Sequence, residues 1–281
     1  MESPLSSQRT IVAAPPRPQL RKRLRELSIW LFAAPLLVFL LLPLLAMVLR
    51  LDWRHFWTNL LSNGVLQAVS LSFITTMIAT ALTVTLGTPL ALGLARREFR
   101  GRIVIDTLID LPMILPPSVA GIALLIAFGR RGMIGGPLAD LGIQIAFTQV
   151  AVIMAQCFVA APYYVKSATA GFRSIDRELE QAAALDGANR WQVLRMITIP
   201  LAWPVLLGGA VMSWARALGE FGATIIFAGN LPGRTQTMPL AIYLGFERDL
   251  NLALTLAVIL LVISFAALAL VKGVLHQRIG V

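Results

Sequence analysis

Charged residues are scarce in this sequence. Of its 281 residues, 14% are charged and 57% are hydrophobic, whereas soluble globular domains contain about 25% charged residues. The mean hydropathy is +0.78. This composition excludes a soluble globular protein and predicts an integral membrane protein whose apolar surface contacts lipid.

Cysteine and histidine are nearly absent as well. The single cysteine, Cys157, lies in an apolar run, which excludes a disulfide framework and the chemistry of paired thiols. His55 and His276 are far apart in the chain and give no metal-ligand spacing. We therefore expect neither a metal site nor a cofactor in this chain.

The motifs of nucleotide binding and catalysis are missing too. A Walker A motif requires G-x4-G-K-[ST]. Only Lys166 precedes a serine, and Ala160 and Val165 stand where the two glycines would be. No Ser-His-Asp or paired-carboxylate set suits a pocket, so the sequence predicts a chain that is not itself an enzyme.

Long hydrophobic runs, in contrast, are abundant. A membrane-spanning helix needs about 20 apolar residues, and several runs of this length predict an all-α, polytopic membrane protein with six transmembrane helices. The predicted spans are 28–49, 65–95, 103–128, 146–171, 201–228 and 251–271. Prolines inside several spans favour a packed bundle, because neighbouring helices can satisfy the backbone groups that proline frees.

The two ends of the chain are predicted to be tails. Residues 1–27 are basic and rich in proline and serine, which predicts a disordered cytoplasmic tail. The uncharged run that follows is longer than the roughly 7–15 apolar residues of a signal peptide, so we expect it to be retained as the first span. The transmembrane domain then covers 28–272, and 273–281 form a second cytoplasmic tail.

Lysine and arginine predict the orientation. Seventeen of them lie in the tails and the loops that face one side, and six lie in the loops of the other side. The positive-inside rule then places both termini in the cytoplasm of a bacterial plasma (inner) membrane. The same rule accounts for the net charge of +10, for which nucleic-acid binding is the alternative.

The segment 173–200 reads as a small folded protrusion on the cytoplasmic side. It contains LEQAAALDGANRWQVLRMITIPLA, in which strong helix formers are followed by Asp186 and Gly187. Glycine readily takes the left-handed conformation that ends a helix. A second short helix is expected over 188–197, and Pro200 marks the return to the membrane. Such a protrusion either docks on another protein through its alanines and Trp191 or rests on lipid headgroups.

The spacing of this segment resembles the EAA loop of ABC importer permeases, E-A-A-x-x-x-G-x9-I-x-L-P. The sequence departs from that pattern at Gln181 and Ile199, and Glu180 lies beside the first departure. The resemblance implies a type I ABC importer permease fold, with a coupling helix that sits in a groove of a cytoplasmic ATPase present in two copies. It also implies that ATP and Mg bind to that ATPase. The implied coupling residues are Glu180, Gln181, Ala182, Ala183, Asp186, Gly187, Trp191, Leu194, Ile197 and Pro200.

The fifth predicted span carries charge. Arg216, Glu220 and Thr224 follow one another at intervals of four and would share one helix face. A charge at mid-membrane costs about 2.5–3.5 kcal/mol and normally faces a bundle interior or a water cavity. Either Arg216 and Glu220 form an ion pair that fixes packing, or this face lines the translocation path and its gate.

Two further patterns predict packing. The small residues Gly209, Ser213 and Ala217 also repeat at intervals of four, which permits close approach of a neighbouring helix. Asp106 and Asp110 share a face at the inner end of the third span, where we expect them to pair with nearby arginines such as Arg100 or Arg102; a proton relay is the alternative.

The stretch RALGEFGA, residues 216–223, resembles the permeases of tetrahedral-oxyanion importers, and TIIFAGNLPGRTQTMPLAIY after it is closer to the molybdate and tungstate branch. The resemblance extends from about residue 60 to the end of the chain. It implies a homodimer that imports molybdate, with sulfate or thiosulfate as the alternative. A periplasmic or extracellular oxyanion-binding protein would dock near Asn230 and Arg234, unless Arg234 is merely solvated. A channel or secondary transporter would predict more intramembrane carboxylates than Glu220.

Overall fold

The computed structural model describes the backbone of residues 19–279 and the side chains of residues 30–273. This part of the chain is built from helices. In chain order they are α1 (Gln19–Leu49), α2 (Trp53–Leu60), α3 (Asn63–Arg96), α4 (Arg102–Ile114), α5 (Pro117–Phe128), α6 (Gly135–Asp140), α7 (Gln149–Arg173), α8 (Arg177–Leu185), α9 (Arg190–Val193), a π-helical stretch (Leu194–Thr198), α10 (Ile199–Leu218), α11 (Gly222–Phe227), α12 (Met238–Arg248) and α13 (Leu250–Ile279). Helix α1 forms one compact unit, and the helices after Leu51 form a second.

The helices confirm an all-α, polytopic membrane fold. Within the described residues, five helical segments are long and apolar enough to cross a membrane, and a sixth crossing results if α4 and α5 count as one. The five segments are Trp30–Leu49, Asn63–Arg96, Gln149–Arg173, Arg190–Leu218 and Leu250–Gly273. Helices suit this environment because all their backbone hydrogen bonds form within the segment.

The third predicted span, 103–128, is not one straight helix. Helices α4 and α5 are bent by 114° relative to each other. Leu115 and Pro116 between them are extended, with ψ angles of 136° and 135°. The tandem prolines Pro116 and Pro117 explain the bend, because proline has no N–H to donate and forces the residue before it out of the helical region.

The fifth predicted span, 201–228, is also broken. Helix α10 ends at Leu218, and a separate short helix, α11, begins at Gly222. Phe221, in the break, has a φ angle of −126°. The prediction that Arg216, Glu220 and Thr224 share one continuous helix face is therefore wrong, because Arg216 lies on α10, Glu220 lies in the break and Thr224 lies on α11.

The predicted tails are shorter than expected. Helix α1 begins at Gln19, so 19–27 are helical rather than disordered, and α13 extends to Ile279, beyond the predicted boundary at residue 272. Residues 19–27 consist of leucine, arginine, lysine, glutamine and glutamate, which favour helix, and each extension continues an adjoining span. Residues 1–18 and 280–281 lie outside the described part, and so does the prediction of disorder for residues 1–18.

Helices α3, α7 and α10 pack closely through small residues. A Cβ atom at Gly87 of α3 would lie 3.0 Å from the ring of Tyr164 on α7, and one at Gly209 of α10 would lie 2.7 Å from Ser167. The Ser213 hydroxyl donates to the carbonyl of Ala160 at 2.9 Å. These contacts confirm the predicted small-residue face of α10, because any larger side chain would push the helices apart.

Candidate functional site

The segment 173–200, here called the α8–α9 loop, folds as the predicted helix-turn-helix. Asp176 caps α8 by accepting a hydrogen bond from the backbone N–H of Glu178 at 2.9 Å. Gly187, with φ of +91°, turns the chain after α8. Asn189 and Gln192 then form a capping box at the start of α9. These local caps satisfy the free N–H groups of both helix starts.

The second helix of this loop differs from the prediction of a short helix over 188–197. Helix α9 is four residues long and continues through the π-helical stretch directly into α10. Pro200 therefore lies in the first turn of α10 instead of after a separate element. Because proline has no N–H and clashes with the preceding turn of an α-helix, a wider π turn accommodates it.

The α8–α9 loop exposes large apolar side chains. Trp191 is 66% exposed, Leu185 88% and Met196 70%. Trp191 was predicted, whereas Leu185 and Met196 were not. Their signal in the sequence is weak, because both residues also suit the apolar face of a short helix. Each of these three side chains is therefore free to contact another molecule.

The loop is tied to the bundle by Glu180. Its carboxylate accepts a hydrogen bond from Arg96, the last residue of α3, at 2.6 Å, and a second from the Thr198 hydroxyl at 2.7 Å. The side chains of Glu180 and Arg96 are 21% and 16% exposed. Glu180 thus points towards the bundle, while Gln181, at the glutamate position of the motif, is exposed. Arg96 is a functional residue that the sequence did not reveal.

The other predicted coupling residues divide between the two faces of the loop. Ala182, Asp186, Gly187 and Pro200 are exposed, whereas Ala183, Leu194 and Ile197 are half-buried. The exposed group can contact another molecule. The half-buried group holds the loop against the rest of the chain.

The break between α10 and α11 contains the predicted ion pair. Arg216 Nη1 lies 2.9 Å from Glu220 Oε2, and the Glu220 side chain is 1% exposed. The second carboxylate oxygen accepts from the backbone N–H of Ala223 at 2.8 Å. Glu220 therefore neutralises the charge of Arg216 and also caps α11. Thr224 is fully buried, but its hydroxyl has no hydrogen-bond partner among the described residues.

The two broken segments of the chain meet each other. A Cβ atom at Gly222, the first residue of α11, would lie 2.5 Å from the Cβ of Pro117, the first residue of α5. One at Gly121 would lie 2.9 Å from the carbonyl oxygen of Ala223. Irregular backbone at membrane depth is tolerated only where it is buried in protein or lines a cavity. Sequence patterns do not predict this meeting, because the breaks are about a hundred residues apart.

The segment after α11 is a compact turn. Gly233 has a φ of +72°, and the Thr235 hydroxyl accepts from the N–H of Leu231 at 3.0 Å. The Asn230 amide donates to the carbonyl of Leu240 at 3.2 Å, so it braces the turn. Of the two predicted docking residues, Arg234 is the one whose side chain is exposed and free to contact another molecule.

The acidic pair of α4 has a different partner from the predicted arginines. Lys166 on α7 lies 2.8 Å from Asp106 and 2.9 Å from Asp110. The prediction of Arg100 or Arg102 was wrong, because α4 packs along α7 and brings its acidic face onto Lys166.

Comparison with known proteins gives a consistent result. Residues 84–280 match the family described as "Binding-protein-dependent transport system inner membrane component". The chain is 43% identical over 243 residues to the molybdenum transport system permease protein ModB of Mycobacterium tuberculosis, covering 85% of this chain and 91% of the relative. It is 32% identical over 247 residues to the sulfate transport system permease protein CysT of Escherichia coli, covering 86% and 89%.

A solved structure shares the fold. The structure of a bacterial ABC transporter involved in the import of the acidic polysaccharide alginate matches with a TM-score of 0.71 and 18% identity, covering 92% of this chain and 96% of that chain. The helices, the α8–α9 loop and these matches lead to one assignment. The chain belongs to the family of inner membrane components of binding-protein-dependent transport systems.

Proposed function

We propose that this chain is the membrane-spanning permease subunit of an ATP-binding-cassette importer that carries molybdate, or tungstate in its place, into the cytoplasm by alternating access. The observation that carries the proposal is the α8–α9 loop: an apolar surface outside the membrane, tied rigidly to the end of a spanning helix. The 43% identity to a molybdenum permease supports the choice of anion.

The α8–α9 loop is the part that an ATPase grips. Its exposed residues Leu185, Trp191 and Met196 supply the apolar anchors that dominate protein interfaces. Gln181, Ala182 and Asp186 border them, and Gly187 gives the turn. Because Glu180 bonds both Arg96 and Thr198, a movement of the loop is passed to α3 and to the start of α10.

The meeting of the two broken segments is the gate of the translocation path. Arg216 and Glu220 neutralise each other there, so an anion does not meet an unpaired carboxylate. The buried hydroxyl of Thr224 has no partner within the described residues and is free to donate to a passing anion. No tight cage is expected in this chain, because strong binding would slow release.

Partners on both sides complete the system. Two ATPase subunits bind ATP and Mg and hydrolyse the ATP, and this chain binds no cofactor of its own. The chain forms a homodimer, with both of its termini in the cytoplasm of the bacterial inner membrane. A periplasmic or extracellular oxyanion-binding protein docks on the opposite side, where Arg234 contacts it and Asn230 keeps the turn in shape.

Uptake of labelled molybdate tests the proposal. Cells that lack their own molybdate importer should take up the label only when this chain, its ATPase and the binding protein are all expressed. Unlabelled molybdate and tungstate should compete, and sulfate should not. Sulfate transport is the alternative, supported by the 32% identity to CysT, and stronger competition by sulfate than by molybdate would favour it. Uptake without the ATPase would contradict an ATP-driven importer.

A further inference from the structure

A large basic cavity lies between the inner end of α3 and the α8–α9 loop. Its volume is about 750 Å³, within the range of about 300–1,000 Å³ that is typical of sites for organic ligands. Four arginines line it: Arg96, Arg97, Arg177 and Arg190. Glu180 is the one acidic residue of the lining. The cavity therefore carries an excess of three positive charges.

These arginines are poorly neutralised within the described part of the chain. Glu180 is used by Arg96 and Thr198. Arg97, Arg177 and Arg190 are exposed and form no ion pair with a described residue. The Nε of Arg96 is buried and has no hydrogen-bond partner there. A buried donor without an acceptor is costly, so this cavity favours a ligand that brings negatively charged oxygen atoms.

The remainder of the lining is apolar. Pro89 and Leu92 come from the last turns of α3, and Val193 and Leu194 come from the α8–α9 loop. A small free oxyanion would fill only a fraction of this space and would leave those side chains uncovered. An amphiphilic ligand would place its charged group against the arginines and its apolar part against these side chains. The cavity itself lies at the end of a spanning helix, which is where lipid headgroups are found.

We infer that this cavity binds the headgroup of an anionic phospholipid, with the phosphate among the arginines and the glycerol and first acyl carbons against the apolar side. Basic pockets at the ends of membrane helices are suited to such headgroups. Leu185, Trp191 and Met196 are not among the residues that line the cavity, and the site does not depend on which ion is transported. A bound lipid would connect α3 to the loop in addition to the Arg96–Glu180 pair.

Native mass spectrometry of the purified full-length chain with its ATPase tests this site. The complex is equilibrated with phosphatidylglycerol, with phosphatidylcholine, or with millimolar inorganic phosphate. We expect phosphatidylglycerol to be retained and phosphatidylcholine to be lost. Equal retention of the two lipids, or displacement of phosphatidylglycerol by inorganic phosphate, would overturn the inference. These comparisons use the unmodified chain and therefore do not depend on the folding of a variant.

A matched pair of variants locates the site. The variant R97Q/R177Q/R190Q should bind phosphatidylglycerol on the order of a hundredfold more weakly, from about fivefold per arginine near a membrane surface. The control R130Q/R131Q/R234Q removes the same charge elsewhere and should retain the lipid. Equal loss in both variants would mean non-specific attraction. Retention of lipid with loss of the ATPase from the first variant would instead assign these arginines to the protein interface.

Discussion

The α8–α9 loop and the break between α10 and α11 each depend on one glutamate, but they arrange their apolar residues in opposite ways. Glu180 holds the loop from the inside, so that Leu185 and Trp191 face outwards with 88% and 66% exposure. Glu220 is itself 1% exposed, and Phe227, the last residue of α11, is fully buried. The loop is shaped to contact another surface, whereas the break is shaped to keep one conformation inside the bundle.

The difference lies in how each carboxylate is satisfied. Glu180 bonds side chains from α3 and from the π-helical stretch, so it joins elements that are distant in the chain. Glu220 bonds Arg216 and the N–H of Ala223, so its partners lie within four residues. Disturbing Glu180 should therefore loosen one element against another, while disturbing Glu220 should damage the break itself.

The largest effect is expected from Glu220→Ala. The substitution leaves Arg216 without its partner and Ala223 without an acceptor, and breaking a buried pair costs about 3–5 kcal/mol. The lower end applies, because the Arg216 side chain is 29% exposed. Thermal unfolding should shift down and molybdate uptake should fall, while the ATPase still copurifies. Glu220→Gln keeps an acceptor for Ala223 and should lose less. Wild-type uptake by Glu220→Ala would rule out the gate role.

Trp191→Ala should weaken binding of the ATPase to the α8–α9 loop without destabilising the break between α10 and α11. An exposed residue contributes little to folding, so stability should change by less than about 0.5 kcal/mol. Loss of an aromatic interface anchor costs about 2 kcal/mol or more, so affinity for the ATPase should fall roughly thirtyfold. Binding is measured by titration of the purified ATPase. Trp57→Ala is the control, because Trp57 is 63% exposed on α2, which precedes the start of α3, whereas the loop is bonded to the last residue of α3. Equal weakening by both substitutions would contradict the proposed interface.

Glu180→Ala should loosen the loop without removing its apolar surface. Losing a hydrogen bond to a charged group costs about 1.5–3 kcal/mol, and this bond joins the loop to Arg96. Amide hydrogen exchange in α8 should become faster, and ATP hydrolysis should be less dependent on the binding protein. Glu178→Ala is the matched control, because Glu178 is exposed in the first turn of α8. Unchanged exchange in Glu180→Ala would show that the loop is held by other contacts.

The smallest effect is expected from the packing that supports the break. In Gly209→Ala the new Cβ would lie 2.7 Å from Ser167, and overpacking of this kind costs about 1–3 kcal/mol. Gly93→Ala meets no atom within 4 Å and should stabilise the α3 helix by up to about 1 kcal/mol. Thermal unfolding in detergent should therefore move in opposite directions for the two variants. A higher unfolding temperature for Gly209→Ala would contradict the close packing of α7 against α10, and a lower one for Gly93→Ala would contradict the open space beside Gly93.

Much of the site was predictable where its signal is local in the chain. The turn at Gly187, the exposure of Trp191 and the Arg216–Glu220 pair all depend on residues within a few positions of one another. The partners of Glu180 and of the acidic pair on α4 were not predictable. Arg96 lies 84 residues from Glu180, and Lys166 lies 60 residues from Asp106. Such pairings depend on which helix faces which.

The sequence by itself determined that the chain is a helical membrane protein with a folded loop between two spans. Hydropathy, proline positions and turn residues act locally, so they can be read without knowledge of the packing. Only the tertiary structure decided that the chain breaks near Pro116 and Gly219 meet, that Lys166 pairs with two aspartates, and that Glu180 faces inwards. These features arise because close packing of α3, α7 and α10 fixes the distances between side chains that are remote in the chain.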